Sequence, residues 1–439
     1  MEPGVAAAAY GVETAAEGAV GAAVAIAKPT MPLKATWRRL VTPNPLPRSS
    51  HSLSVVKGNA YVFGGEERPR EPVGDDMHVL TLPSSTVNEV DYKAVPATGS
   101  AGDTEVPAPR VGHTATTIND RIYVFGGRGG KAMEALDEEG AVWEYDTALD
   151  HWTRLVPVKG SPCPQPRSYH SSASTAHPIP MQKDRSGAAQ GDLDPEAHGT
   201  VFIHAGCTAS GRLNDLWAFD VAARTWSPFP DAPGQARGGS SLTFVRNRLY
   251  RFGGFDGKAE IGGQIDYLDT TATTIDDQGG KGEMAVVSTT GKWETVAASS
   301  GQMPGNRSVT GLQPVTTGQG RNYLVLFLGE RDASSSGHAG AGRFWDDVWS
   351  FQLRPDGMTA ASFKDATREL FGASTAEHTW APVDIPESSM TDGRQAAPGP
   401  LGWFASAQMH HMDPCSIAVW GGLKSDNTRS GDGWVLTVE

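Results

Sequence analysis

Short apolar runs that end in small residues recur along this chain of 439 residues. Each run is rich in aromatic or β-branched residues, which favour strands, and the small residues that follow favour a turn. The runs begin at Tyr61, Tyr123, Phe202, Tyr250, Leu326 and Val419. A pattern of short strands that repeats in this way predicts a fold assembled from copies of one unit.

Three further elements accompany these runs. A Pro-Arg-x-x-His segment precedes each of the first three runs, and weaker copies precede the fourth and the fifth. The arginines of the five copies are Arg48, Arg110, Arg167, Arg237 and Arg307. The sixth copy has lost the arginine and contains Trp403 and Phe404. A strand with Asp or aromatic residues follows each run, and a fourth strand ends four of the units at Trp152, Trp226, Trp293 and Trp380.

Four short strands in each of six units predict a β-propeller. The linked elements resemble kelch repeats, which combine Arg-x-x-His, a diglycine, spaced aromatic residues and a terminal Trp. The sixth unit lacks its fourth strand, whereas an unassigned strand at Thr36–Leu40 precedes the first unit. We therefore predict an all-β, six-bladed kelch β-propeller whose last blade is closed by the N-terminal strand, which leaves no exposed sheet edge there.

The predicted domain organisation is a disordered Ala/Gly-rich tail at residues 1–34 and a single propeller at 35–439. The blades are expected at about 43–95, 105–157, 164–228, 235–296, 305–383, and 398–439 together with 35–40. Long polar insertions near 177–198, 270–291 and 355–375 are interpreted as surface excursions.

Charge and cysteine content narrow the function classes. The chain has 50 acidic and 37 basic residues, a net charge of −13, which argues against nucleic-acid binding. Three cysteines are too few and too scattered for a disulfide framework or a zinc site, so a reducing, cytoplasmic location is expected. The chain contains no run of 18 apolar residues, so no membrane span is predicted. The N-terminal segment lacks the basic region of a secretory signal.

Long loops and charged side chains are predicted to meet on one face of the propeller. Strand directions alternate within an antiparallel blade, so the loops after the apolar runs emerge beside the five arginines. We name this the Arg face, and we expect some of the arginines to reach its axial mouth. The predicted catalytic residues are Arg48, Arg110, Arg167, Arg237, Arg307 and His338. The predicted substrate-binding residues are Glu66, Tyr169, Phe255, Glu330, Trp345, Trp403 and Phe404.

A structural role is the competing interpretation for the repeated residues. The histidines three positions after the arginines occur in three similar copies, which favours stabilisation of the repeat over catalysis. The arginines are open to both interpretations, because identical charges that converge on one mouth need an anionic or polar partner.

The loop from Glu330 to Gly342 resembles the loop by which nitrile-specifier and thiocyanate-forming kelch proteins hold ferrous iron. That family places a Glu, an Asp and a His at intervals of four residues, and Glu330 and His338 match the outer two positions. The middle position is here Ser334, a poor ligand for iron beside a carboxylate. We therefore expect no bound metal and no cofactor, and interpret the loop as an inherited lid.

The chain as a whole also resembles a group of cytosolic ascomycete kelch proteins. The resemblance is carried by Pro47–His51, Gly64–Glu66, His204–Asp215 and Tyr250–Gly257. Some members of that group are hetero-Diels–Alderases of tropolone–sesquiterpene biosynthesis, which join a quinone methide to humulene. The resemblance implies an enzyme with two small-molecule substrates, and no nucleophile motif contradicts a cofactor-free cycloaddition. The alternatives are a kelch scaffold that binds a protein partner, and a nitrile-specifier-like protein.

Overall fold

The structure is a computed structural model that describes residues 29–83, 90–100, 104–178, 198–276, 283–289, 291–296, 301–355, 357–386 and 397–439. Six four-stranded antiparallel sheets contain most of the strand residues among them. The predicted all-β class is therefore correct, and a single α-helix is present among the described residues.

Each sheet runs from an inner strand to an outer strand. The first sheet contains Ser52–Val56, Asn59–Phe63, Met77–Thr81 and Asp91–Val95, and the second contains Thr114–Ile118, Arg121–Phe125, Val142–Asp146 and His151–Leu155. The third contains Ser171–Thr175, Thr200–Thr208, Gly211–Asp220 and Thr225–Phe229, and the fourth contains Ser241–Val245, Arg248–Phe252, Ile265–Asp269 and Glu294–Val296. The fifth contains Gly311–Thr317, Arg321–Phe327, Val348–Gln352 and Trp380–Pro382, and the sixth contains Ala405–Gln408, Ser416–Trp420, Gly433–Val438 and Ala35–Leu40.

The N-terminal strand Ala35–Leu40 is the outer strand of the sixth sheet. It pairs antiparallel with Gly433–Val438, from Ala35 opposite Val438 to Leu40 opposite Gly433. The Trp37 ring packs edge-on against Phe327 at 6.2 Å and against Trp434 at 6.4 Å. Leu33 is also buried, so the last residues of the segment predicted as a disordered tail pack against the sheets. Of that segment, residues 1–28 lie outside the described residues.

The repeated arginine and the small residues after each apolar run have one shared structural purpose. The arginine Nη1 atoms donate within their own sheets to the carbonyls of Gly64, Gly126, Ala205, Gly253 and Leu328, at 2.9–3.0 Å. The next residue donates its N–H to a carbonyl of the following sheet. These bonds join Gly65 to Arg110, Gly127 to Arg167, Gly206 to Arg237, Gly254 to Arg307, Gly329 to Leu401, and Gly422 to Arg48. The motif is therefore the hydrogen-bonded joint between neighbouring sheets.

The diglycine is required because the next sheet approaches it closely. Gly64 has a φ of 61°, and a Cβ there would lie 2.7 Å from the Arg110 carbonyl oxygen and 2.7 Å from His113 Cε1. A side chain at this position would therefore clash with the following sheet and adopt a disfavoured backbone conformation. The same contact explains the repeated histidine, whose ring packs over the preceding glycine, and supports the structural interpretation of His113.

Each inner strand contacts the inner strand of the next sheet, and the strand Ser52–Val56 also contacts Ala405–Gln408. Apolar clusters fill the space between neighbouring sheets, for example that of Leu40, Val62, Leu80 and Trp420 between the sixth sheet and the first.

Two of the predicted surface excursions contain regular structure. Thr271–Asp276 and Glu283–Ser288 form a hairpin, and Ala360–Leu370 form the helix. The helix begins at a capping box in which the side chains of Thr359 and Ser362 each accept a hydrogen bond from the other residue's backbone N–H. None of the described helices has the length and apolar character needed to cross a membrane.

Candidate functional site

A cavity of about 310 Å³ lies on the Arg face. Its wall combines the segments just before the inner strands with the loops that follow the apolar runs. Five predicted substrate-binding residues and the predicted catalytic His338 line it: Glu66, Tyr169, Phe255, Glu330, Trp403 and His338. The structure therefore brings together side chains from five of the six sheets' loops and places them around one space.

Three rings form an aromatic wall on one side of the cavity. His338 stacks on Tyr169 with ring centroids 4.9 Å apart, and Trp403 meets Tyr169 edge-on at 5.2 Å. Trp403 and His338 are also edge-on, at 5.4 Å. Such contacts fix the ring orientations more tightly than apolar burial alone.

His338 reaches this wall on the loop that follows the fifth apolar run. The hairpin of Glu330–Asp332 and Arg343–Phe344 supports the loop, and a 3₁₀ turn at Gly337–Ala339 carries the histidine. Burial and the nearby arginines, first Arg128, lower the pKa of His338 to about 4, so its ring is neutral at neutral pH. A neutral ring can stack and accept a hydrogen bond, but it adds no positive charge.

Arg212 supplies the cation of the cavity. Its guanidinium lies over the Phe255 ring, 5.0 Å from the centroid. Its Nε is buried without a hydrogen-bond partner, and Arg212 forms no ion pair with any residue that the structure describes. By contrast, Arg429 is neutralised, because it donates to Glu66 at 2.8 Å. A buried donor that the protein leaves unsatisfied is suited to an oxygen of a ligand.

Two buried carboxyls lie near the cavity. Glu330 lines the cavity, and burial raises its pKa to about 7. The Trp403 indole and the Ser334 backbone N–H act in the opposite direction and lower this pKa in part. Burial also raises the pKa of Glu260 to about 8, and the negative charges of Glu330 and Asp332 act in the same direction. Glu260 is therefore mostly protonated at neutral pH, whereas Glu330 is protonated only in part and can donate or accept a proton.

The expectation that repeated arginines reach the mouth is wrong. None of the five lines the cavity, and each is at most 6% exposed. Arg110, Arg167 and Arg307 form two-pronged ion pairs with Glu138, Asp215 and Asp347 at 2.6–3.0 Å. Arg48 and Arg237 bind backbone carbonyls, and burial lowers the pKa of each to about 10. Their guanidinium groups are used within the sheets, so the geometry favours the structural interpretation.

Two of the predicted substrate-binding residues also lie elsewhere. Trp345 packs beside Arg307 and Arg331, 5.0 and 4.8 Å from its ring, and donates its indole N–H to the Asn306 carbonyl. Phe404 stacks on Phe327 at 5.6 Å and lines a separate space of about 150 Å³. Neither ring lines the cavity itself.

The loop that resembles an iron site lacks a complete donor set. Glu330, Ser334 and His338 all line the cavity, but the central donor is a hydroxyl and the His338 ring is engaged in stacking on Tyr169. Within the described ranges, no three His, Cys, Asp or Glu side chains are grouped so that they could hold a metal ion. The residues present do not fit the iron of that family.

Comparison with known proteins supports kelch repeats and the β-propeller class. Residues 31–179 match the family model described as the KLHDC2/KLHL20/DRC7 Kelch-repeats domain. Kelch-like protein 40 of Xenopus laevis is 26% identical over 214 residues, which are 48% of this chain and 28% of that protein. The solved structure of YjhT superposes over 90% of this chain and 98% of its own, with a TM-score of 0.54 and 12% identity.

One relative matches over nearly the whole chain. The N-(sulfonatooxy)prop-2-enimidothioate sulfolyase of Thlaspi arvense is 25% identical over 403 residues, which are 90% of this chain and 93% of that protein. This chain is thus a distant relative of an enzyme.

Sequence reasoning missed Arg212, Arg429 and Glu260. Arg212 follows the third apolar run by six residues, in a loop already assigned to the Arg face, so its position gave a usable signal. Its lack of a partner depends on where other loops lie, as does the burial of Glu260, and no local pattern encodes either property.

Proposed function

We propose that the cavity is the active site of an enzyme that acts on a small organic molecule. The observation that carries this proposal is that the Arg212 guanidinium, which has no ion pair among the described residues, lines the same cavity as Tyr169, His338 and Trp403. The aromatic wall suits an apolar part of a substrate, and Arg212 suits an anionic or carbonyl oxygen. Glu330 supplies a proton donor or acceptor at the same cavity.

A hetero-Diels–Alder cycloaddition between a quinone methide and a humulene-type sesquiterpene is the first candidate reaction. It forms its new bonds within the two bound reactants and requires no nucleophile. Orientation of the two can contribute roughly 7–11 kcal/mol. Arg212 would stabilise the negative charge that develops on the quinone methide oxygen, while the triene packs against Trp403.

A lyase reaction is the second candidate, and the relationship to the Thlaspi arvense sulfolyase favours it. The substrate in that enzyme's name combines a sulfonatooxy group with a three-carbon alkenyl group. In the cavity, Arg212 would bind the sulfonatooxy oxygens, and the alkenyl group would lie against the aromatic wall. Glu330 in its protonated form would stabilise the departing sulfate.

Product analysis separates the two reactions. One reaction contains a quinone methide generated in solution and humulene, and the other contains N-(sulfonatooxy)prop-2-enimidothioate with measurement of released sulfate. We expect Arg212→Met to lower kcat/KM for the true substrate by about 10- to 100-fold, the range for one charge-assisted hydrogen bond. Arg68→Met removes an exposed arginine of a neighbouring loop and serves as the control. Absence of both products, or equal rates in both variants, would reject this active site and favour a protein-binding scaffold.

We also infer that the six sheets form one closed six-bladed ring joined by the strand Ala35–Leu40. The bond from Gly422 N–H to the Arg48 carbonyl, at 2.7 Å, supports this inference because it links the last sheet to the first. We propose that the protein acts in the cytoplasm on small molecules and not on nucleic acid, in keeping with its net charge of −13.

A further inference from the structure

Six residues, each just before an inner strand, enclose the axis on the Arg face. They are the second residues after the five arginines, and the matching residue of the sixth sheet: Ser50, Gly112, Tyr169, Gly239, Val309 and Trp403. All six have positive φ, from 44° at Val309 to 64° at Gly239. The repeat therefore imposes the left-handed conformation whether or not the residue is glycine.

A circuit of backbone hydrogen bonds joins the six residues. Each N–H donates to the carbonyl of the preceding member, beginning with Gly112, which donates to Ser50 at 2.9 Å. The circuit closes where Ser50 donates its own N–H to the Trp403 carbonyl, also at 2.9 Å. The intervening bonds have lengths of 2.7–2.8 Å, except that from Trp403 to Val309 at 3.4 Å. We name this circuit the collar.

The side chains of the collar are held in a disfavoured conformation. A left-handed backbone costs a non-glycine residue roughly 1–2 kcal/mol, and a β-branched residue such as Val309 is a genuine outlier. Four of the six members nevertheless carry side chains, among them the large rings of Tyr169 and Trp403. Because the repeat imposes this backbone in all six sheets, the side chain present at each position decides how the collar is lined.

The collar divides the cavity from a deeper chamber. Five of its members line the cavity of about 310 Å³, and all six line a chamber of about 150 Å³ further along the axis. The chamber is deeper because its wall also contains His51, His113 and His170, the next residues along the inner strands. Burial lowers the pKa of His51 and His170 to about 3, so the chamber is uncharged at neutral pH.

The two glycines determine how the side chains of the collar are placed. A Cβ on Gly112 would lie 2.6 Å from Tyr169 Cε1, and a Cβ on Gly239 would lie 3.0 Å from Val309 Cγ1. Tyr169 therefore covers one glycine and Val309 the other. The width of the passage is decided by the side chains of Ser50, Tyr169, Val309 and Trp403.

We propose that the collar determines substrate specificity by admitting only an unbranched, uncharged end of a ligand into the deeper chamber. The ligand class is a small molecule with an anionic or carbonyl head near Arg212 and a slender hydrocarbon tail that passes the collar. The proposal rests on the proposed function only in using the same cavity. A binding measurement tests it without reference to turnover.

The experiment measures binding of unbranched alkyl sulfates, from butyl to octyl, by isothermal titration calorimetry. In the wild-type protein we expect affinity to rise by up to about fourfold for each added methylene that passes the collar. Val309→Phe narrows the passage, and we expect it to retain butyl sulfate binding while losing the gain for longer chains. Val309→Ala is the matched control and keeps the gain. Ser50 is the collar member across the passage from Gly239. Ser50→Leu narrows the passage from that side, and it replaces Val309→Phe if that variant does not fold.

The proposal is overturned by any of three results: no binding of butyl sulfate, no chain-length dependence in the wild type, or equal dependence in the narrowed variants. An alkyl sulfate whose chain ends in a tert-butyl group should bind no better than butyl sulfate. Tighter binding of this branched sulfate would also contradict the proposal. If chain-length selectivity appears but neither candidate reaction is catalysed, the collar stands and the proposed reactions fail.

Discussion

We expect Glu260→Gln to stabilise the protein increasingly as the pH rises. Glu260 is 7% exposed, and neither of its carboxyl oxygens has a hydrogen-bond partner among the residues that the structure describes. Burial is the main cause that raises its pKa from 4.5 to about 8, while the Ser308 hydroxyl acts in the opposite direction. Glutamine has nearly the same shape and carries no charge. The substitution therefore removes only the free-energy cost of folding with this carboxyl protonated at a pH above its ordinary pKa of 4.5.

The sign follows from the order of the two pKa values. The carboxyl binds its proton more tightly in the folded chain, so its contribution favours folding below about pH 4.5 and is lost as the pH rises to about 8. Each unit of pKa difference corresponds to about 1.4 kcal/mol. Relative to wild type, the free energy of unfolding of Glu260→Gln should therefore gain about 2–4 kcal/mol between about pH 5 and about pH 9.

Urea unfolding followed by tryptophan fluorescence at a series of pH values measures this difference. Glu71→Gln, which removes an exposed carboxyl, is the control and should run parallel to wild type at every pH. If Glu260→Gln also runs parallel to wild type, Glu260 is solvated or paired in solution, and the reasoning from its burial is refuted.

Three further predictions concern the N-terminal strand, iron and the buried arginines. Deleting 1–28 should preserve a cooperative melt, whereas deleting 1–42 removes the strand Ala35–Leu40 and should cause aggregation; a well-behaved shorter chain in calorimetry and light scattering would contradict the strand's role. Purified protein should contain no stoichiometric iron by elemental analysis, and about one iron per chain that is lost in Glu330→Ala would overturn this prediction. Arg307→Ala leaves Asp347 unpaired and should cost about 3 kcal/mol in urea unfolding, with unchanged activity per folded molecule; a loss of kcat without loss of stability would instead indicate a catalytic arginine.

The repeated unit could be predicted from the order of residues along the chain. Arg-x-x-His, the small pair and the strand pattern occur together because each makes bonds within one sheet or to the next, as Gly64 and His113 do. These contacts repeat in every unit with similar residues, so periodicity along the chain records them. The same pattern identified Thr36–Leu40 as a strand without a partner in its own unit. In the structure this strand pairs with Gly433–Val438.

Which charged groups are available to a ligand became clear only from the packing of the folded chain. The sequence shows that Arg167 is cationic, but only folding places Asp215 against it and leaves Arg212 without a carboxylate among the residues that the structure describes. Likewise, the burial that raises the pKa of Glu260 comes from loops distant in the chain. The charge of a side chain is a property of its residue type, whereas its partner and its solvation are properties of the packed chain, and these two decide whether it stabilises the fold or faces a substrate.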